Sequence, residues 1–151
     1  MKAMVYTAAL CTLAACAAMP AEQGKTAAAE QTVPAAETLS GNWRITRLGE
    51  ENLPADTRAR LSFDAAKNSF GGNAGCNSLF GSYQAENGRL KFGAAASTLM
   101  ACLDDATMMR EQALGMALQE TAAYAVKGSK LVLQNGSGTV LLEAVRAETK
   151  R

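Results

Sequence analysis

From Leu39 onward the chain alternates apolar and polar residues in short runs, the pattern of strands with one buried face. In GNWRITRLG, Trp43 and Ile45 fall on one side, Arg44 and Thr46 on the other. ARLSFD repeats the device with Leu61 and Phe63, and NSFGGN sets Phe70 ahead of glycines that suit a bulge or a close backbone approach. A further run ends on Tyr83, Asn87-Gly88 supplies a tight turn, and Leu90 and Phe92 resume the alternation. The chain finishes on YAVKG, KLVLQ and TVLLEAV, separated by Gly-Ser and Asn-Gly-Ser-Gly turns. Hairpins this closely spaced predict a largely antiparallel sheet.

Between these two groups of strands the period lengthens to about 3.6 residues. Over residues 106–124, Met109, Ala113, Leu114, Met116, Ala117, Leu118, Thr121 and Tyr124 are assigned to one broad apolar arc, opposite Glu111, Gln112 and Gln119. That predicts one amphipathic helix, with Asp104 or Asp105 at its N-cap or as a dipole partner. No series of strand, helix and strand is present to build a doubly wound fold. The expected class is mainly β (α+β): a curved antiparallel sheet or open β-barrel packed against one amphipathic helix.

The first 38 residues read differently. MKAMVYTAALCTLAAC carries one cation at Lys2 and an apolar stretch from Ala3 to Ala15, shorter than the about 20 residues a spanning helix takes. Residues 1–15 are therefore expected to be a signal peptide. Leu13-Ala14-Ala15-Cys16 resembles the bacterial lipobox at all four positions. In such a segment the thiol is alkylated by a diacylglyceryl group, the chain is cut before Cys16, and the new amine is acylated, commonly by palmitate. The alternative is an ordinary secretory signal cleaved at a site such as Ala15-Cys16-Ala17. Ala17 rather than Asp resembles the sorting pattern of outer-membrane lipoproteins. The expected location is the outer membrane of a Gram-negative cell, lipid-anchored and facing the periplasm. Residues 16–38, rich in Ala, Glu, Gln, Thr and Pro, bury no core and are expected to be the lipidated end and a flexible linker to a domain over 39–148.

Composition narrows the chemistry. The 151 residues include no histidine, which removes the usual general base near neutral pH, the commonest metal ligand, and every nucleophile pair that relies on histidine. A hydrolase built on two carboxylates would need both to converge on one cleft. A non-enzymatic protein is the expectation. The formal charge is +1, and Arg44, Arg47, Arg58 and Arg60 are spaced among apolar residues rather than massed, so nucleic acid is not an expected partner. Gly71, Gly72 and Gly75 lack the Gly-Lys-Ser/Thr of a phosphate loop and the strand, turn and helix of a dinucleotide site. Their expected role is backbone geometry, with Asn77 bonding nearby backbone. Phe80 and Tyr83 read as core or rim aromatics, or as the lining of a binding groove. Neither a metal nor a cofactor is expected, and the pair Asp104-Asp105 suits a helix cap better than a metal.

GGNAGCNSLFGSY at residues 71–83, STLMAC at 97–102, Glu111 with Leu114 and Leu118, and YAVKGSKLVL at 124–133 together resemble the META/HslJ domain family in order and spacing. The resemblance covers residues 39–145. It implies a small antiparallel barrel-like sheet with a helix, no established catalytic residues, and an envelope protein that is often a lipoprotein. Some members are heat-inducible and linked to antibiotic tolerance, or to secretion and motility. One departure is Ala144, where members often carry an aromatic, which leaves the packing of the last strand open.

Export would put Cys76 and Cys102 in an oxidising compartment, where a disulfide is the leading reading and two buried reduced thiols the alternative. Two cysteines without histidine do not make a zinc site. The expected function is support of envelope integrity or of stress and antibiotic tolerance, by binding another envelope protein or a peptidoglycan-associated component. The alternatives are a barrel that binds a small ligand or peptide, and a lysozyme-inhibitor-like protein.

Overall fold

The computed structural model describes residues 39–147. Cys16, the signal peptide and the linker expected from the sequence lie outside the described residues. The strands are β1 (Gly41–Leu48), β2 (Glu51–Asn52), β3 (Arg60–Asp64), β4 (Ser69–Asn73), β5 (Ser78–Glu86), β6 (Arg89–Ser97), β7 (Ala123–Lys127), β8 (Lys130–Gln134) and β9 (Val140–Arg146), with helix α1 (Asp105–Glu120) between β6 and β7. Every pairing is antiparallel. The order runs β2-β1-β3-β4-β5-β6-β7-β8-β9, and β1 also pairs with β9.

That last pairing closes the ring. It runs from Trp43 opposite Arg146 to Leu48 opposite Leu142, so eight strands form a barrel and β2 adds a short edge to the end of β1. Among the described residues, the antiparallel sheet expected from the sequence is there with one helix beside it, and the barrel is closed rather than open. The weakest seam is between β6 and β7, which meet only at Arg89 and Ala123.

Alternation has the consequence physics requires: every second strand residue points inward. Trp43, Ile45, Leu61, Phe63, Phe70, Tyr83, Leu90, Leu131, Leu133, Leu142 and Ala144 are buried and fill the interior. Burying one large apolar side chain is worth about 1.5–3 kcal/mol, so this interior supplies the main drive to fold. Trp43 satisfies its indole by donating to the Leu39 carbonyl at 2.8 Å. Phe63 meets Tyr83 edge to face at 5.2 Å, and Phe70 meets Phe92 the same way at 4.8 Å. Ala144 stands opposite Ile45 and Leu131 and is fully buried, so a small side chain there completes the packing of the last strand.

The helix buries only Leu114, Ala117 and Leu118, and it packs against β1, β6 and β9. At about 3.6 residues per turn, Met109 and Met116 fall roughly opposite that stripe, and both are exposed. The broad apolar arc expected from the sequence is thus narrower, and Tyr124 belongs to β7 rather than to the helix. Glu111 falls beside the buried stripe, not across from it. Asp104 is the N-cap: its carboxylate accepts from the Thr107 N–H at 2.7 Å and from the Thr107 hydroxyl at 2.8 Å. Those two bonds hold its pKa below the ordinary carboxylate value.

Candidate functional site

The site begins in the turn that links β4 to β5. Gly75 adopts φ +142°, and a Cβ there would meet Thr107 Cγ2 at 2.9 Å, so only glycine lets the turn lie against the start of α1. The Asn73 side chain holds the turn from within, accepting from Gly75 N–H at 2.8 Å and donating to the Asn77 carbonyl at 2.8 Å.

Asn77 then ties three segments together. Its Nδ2 donates to Glu111 Oε2 at 2.8 Å and to the Met100 carbonyl at 3.2 Å. Its Oδ1 accepts from the Met100 N–H at 2.8 Å and from the Thr98 hydroxyl at 2.9 Å. Glu111 Oε1 in turn accepts the backbone N–H groups of Cys76, at 2.9 Å, and of Asn77. One carboxylate on the helix is therefore bonded by three N–H donors of the turn. Cys76 and Cys102 meet in disulfide geometry beside it, with Cα atoms 5.9 Å apart.

These anchors fall on alternate residues of the loop between β6 and α1. Thr98, Met100, Cys102 and Asp104 are placed, the first two bonded by Asn77, the third in disulfide geometry with Cys76 and the last as the helix cap. The residues between them are Leu99, Ala101 and Leu103, and all three are exposed. Leu99 is 97% exposed and Leu103 105%, with Met100 at 58% beside them. A loop bonded so thoroughly at every second position displays its leucines to solvent in a fixed geometry.

The sequence-predicted residues divide clearly. Asn77, Cys76 and Cys102 converge on this cluster. Phe80 does not: it stands half exposed on the outer face of β5, opposite Ala96 of β6. Tyr83 is in the core, where burial pushes its hydroxyl pKa up. Glu111 is the participant that periodicity misplaced, and only its position in the family pattern pointed to it. The sulfurs of Cys76 and Cys102 and a Glu111 oxygen lie within 4.8 Å of one another. The Glu111 carboxylate there already accepts its three N–H donors from the turn.

Room for a small ligand is outside the barrel. A depression of about 750 Å³ lies where the end of α1 meets β6, lined by Arg89, Leu90, Lys91, Phe92, Gln119 and Thr121 among others. The barrel interior itself is filled by the side chains named above.

Among the described residues, a small closed antiparallel barrel packed against one helix and carrying a loop pinned by Asn77 and Glu111 defines a compact β-barrel module. The chain belongs to the META domain family, whose model matches residues 36–148. Members are non-catalytic domains, typically periplasmic or envelope-associated. A search of curated proteins finds no match. Among solved structures, the chain is similar to a protein from Burkholderia xenovorans determined by NMR, with 23% identity, a TM-score of 0.61, and coverage of 75% of this chain and 86% of that one. A second NMR structure shows 19% identity and a TM-score of 0.58, covering 72% and 91%. A DUF4847 family protein from Bacteroides vulgatus shows 13% identity and a TM-score of 0.56, covering 75% and 96%. These likenesses concern the fold.

Proposed function

We propose that the protein is an outer-membrane lipoprotein, anchored through acylated Cys16, that supports envelope integrity under stress by binding another envelope component. In this reading residues 16–38 are the tether, and a Cys76–Cys102 disulfide stiffens the binding loop. The observation that carries it is the display of Leu99 and Leu103 on a loop held at every second residue. Exposed apolar side chains clustered in one place favour a partner surface. Holding them in a fixed geometry lowers the entropy lost on binding. A ligand in the barrel interior is disfavoured by the packed core.

The test compares a gene deletion with a Leu99→Asp, Leu103→Asp double variant under detergent and novobiocin challenge, with Cys16→Ser as the anchoring control. The double variant should fold, accumulate normally, and be as sensitive as the deletion. Cys16→Ser should lose incorporation of labelled palmitate. Full protection by the double variant would remove the loop from the function, and a deletion with no sensitivity would remove the stress role.

A further inference from the structure

We propose that two copies of the chain pair through the free edge of β6, antiparallel about a two-fold axis near Ala96. Strand β6 is paired with β5 along its length, from Glu86 opposite Arg89 to Leu79 opposite Ser97. Its other edge meets β7 only at Arg89 and Ala123, and the last bond on that side is Leu90 N–H to the Ala122 carbonyl at 3.1 Å. Among the described residues, no strand lies on the β6 edge from Lys91 to Ser97. A strand edge presents a row of N–H and C=O groups that only another extended chain satisfies in register.

Soluble proteins blunt such edges with charge, proline or a bulge. Here a register shift falls between Gly81 and Tyr83 of β5, opposite Gly93 and Ala94 of β6. Past it, Ala95, Ala96 and Ser97 carry neither charge nor proline, and all three are exposed.

The second copy is the occupant this edge fits best, because the stretch is complementary to itself. A two-fold axis makes each contact reciprocal. Placed at Ala96, it sets Ala95 opposite the partner's Ser97, so small side chains meet small side chains and Lys91 falls outside the paired stretch. With a formal charge of +1 per chain, two copies do not repel at a distance. Phe80 sits directly across the ladder from Ala96 and shares its face. Pairing would therefore align Phe80, Ala96 and their symmetry mates in one row across four strands. The half-exposed Phe80 rings would then flank a pair of alanine methyls instead of facing water. This inference is independent of the lipoprotein reading and fails separately from it.

The test places the photo-crosslinker p-benzoylphenylalanine at position 80 of the full chain in intact cells, with position 129 in the β7–β8 turn as the control. A homodimer product from position 80 and none from position 129 is expected. Ala96→Lys sets like charges opposite each other across the axis and should lower the homodimer yield by up to about fivefold. Ala96→Glu should do the same alone, and co-expressing the Ala96→Lys and Ala96→Glu chains should restore it. Restoration also excludes misfolding as the cause of the loss. Absence of a homodimer, a homodimer indifferent to Ala96→Lys, failure of the mixed pair to recover, or a product containing only a different protein would each overturn the proposal.

Discussion

The side-chain amide of Asn77 donates to Glu111 Oε2 at 2.8 Å while its oxygen accepts the Met100 N–H at 2.8 Å. A single neutral amide thus joins the β4–β5 turn, the loop before α1, and the helix itself. No carboxylate or hydroxyl offers two donors and an acceptor from one rigid plane, which explains why asparagine stands here.

Asn77→Asp keeps the shape and removes both donors, and it sets a second carboxylate against Glu111. A hydrogen bond to a charged group contributes about 1.5–3 kcal/mol, so a loss of that order is expected. Urea denaturation measures it, and amide exchange at Met100 reports whether the loop has loosened. Glu111→Gln should cost less than Asn77→Asp, because its carbonyl can still accept the turn N–H groups. Equal stability of Asn77→Asp and the parent would remove Asn77 as the organising residue.

The cysteine pair carries a separate expectation. Cys76 and Cys102 are 26 residues apart, and closing such a loop stabilises by roughly 3.5 kcal/mol on the chain-entropy account. Protein exported to the periplasm should yield the linked Cys76–Cys102 peptide in non-reducing mass spectrometry. Dithiothreitol should then lower its urea midpoint. Free thiols at both positions in exported protein would refute the bond.

What could be read from the sequence was local. Trp43 with Ile45, and Leu61 with Phe63, announce strands because a period of two is imposed by the strand itself. Asp104 announces a cap because its partner is only three residues away. Closure of the barrel was not legible, since Trp43 and Arg146 meet only when both ends of the domain are in place. Met109 and Met116 look like core residues until the barrel is seen to touch only the stripe of Leu114, Ala117 and Leu118. Glu111 reads as a solvated helix residue for the same reason: its partners are the N–H groups of Cys76 and Asn77, far away in sequence. The exposure of Leu99 and Leu103 likewise depends on which of their neighbours are anchored, and composition carries no record of that.

Tyr83 holds a buried hydroxyl with no hydrogen-bond partner among the described residues, on a ring packed edge-on against Phe63. An unpaired buried polar group is costly, whereas the ring is part of the core. Tyr83→Phe should therefore leave stability unchanged or raise it by about 1 kcal/mol, while Tyr83→Ala should lose about 3–5 kcal/mol as large-to-small aromatic changes do. Thermal unfolding of the two variants decides it. A loss greater than about 1 kcal/mol in Tyr83→Phe would mean that the hydroxyl is bonded in solution.

Glu143 of β9 joins the strands on either side, accepting from Lys130 of β8 at 2.6 Å and pairing with Arg47 of β1 at 3.2 Å. The hydrogen bond from Lys130 is the main cause that holds its pKa below the ordinary carboxylate value, helped by the Lys130 and Arg47 charges and opposed by partial burial. A folded-state pKa below the unfolded one means that the unfolded chain binds more protons between the two values. The stabilisation is therefore present above about pH 4.3, the unfolded glutamate value, and is lost as pH falls through the folded pKa. Glu143→Gln removes it at every pH. The variant should melt below the parent at pH 7, and the gap should close progressively as pH is lowered past 4. Added salt should narrow the gap at pH 7, because the Lys130 and Arg47 side chains are partly exposed. A gap equally wide at pH 7 and pH 2 would show that Glu143 acts through packing and not through its charge.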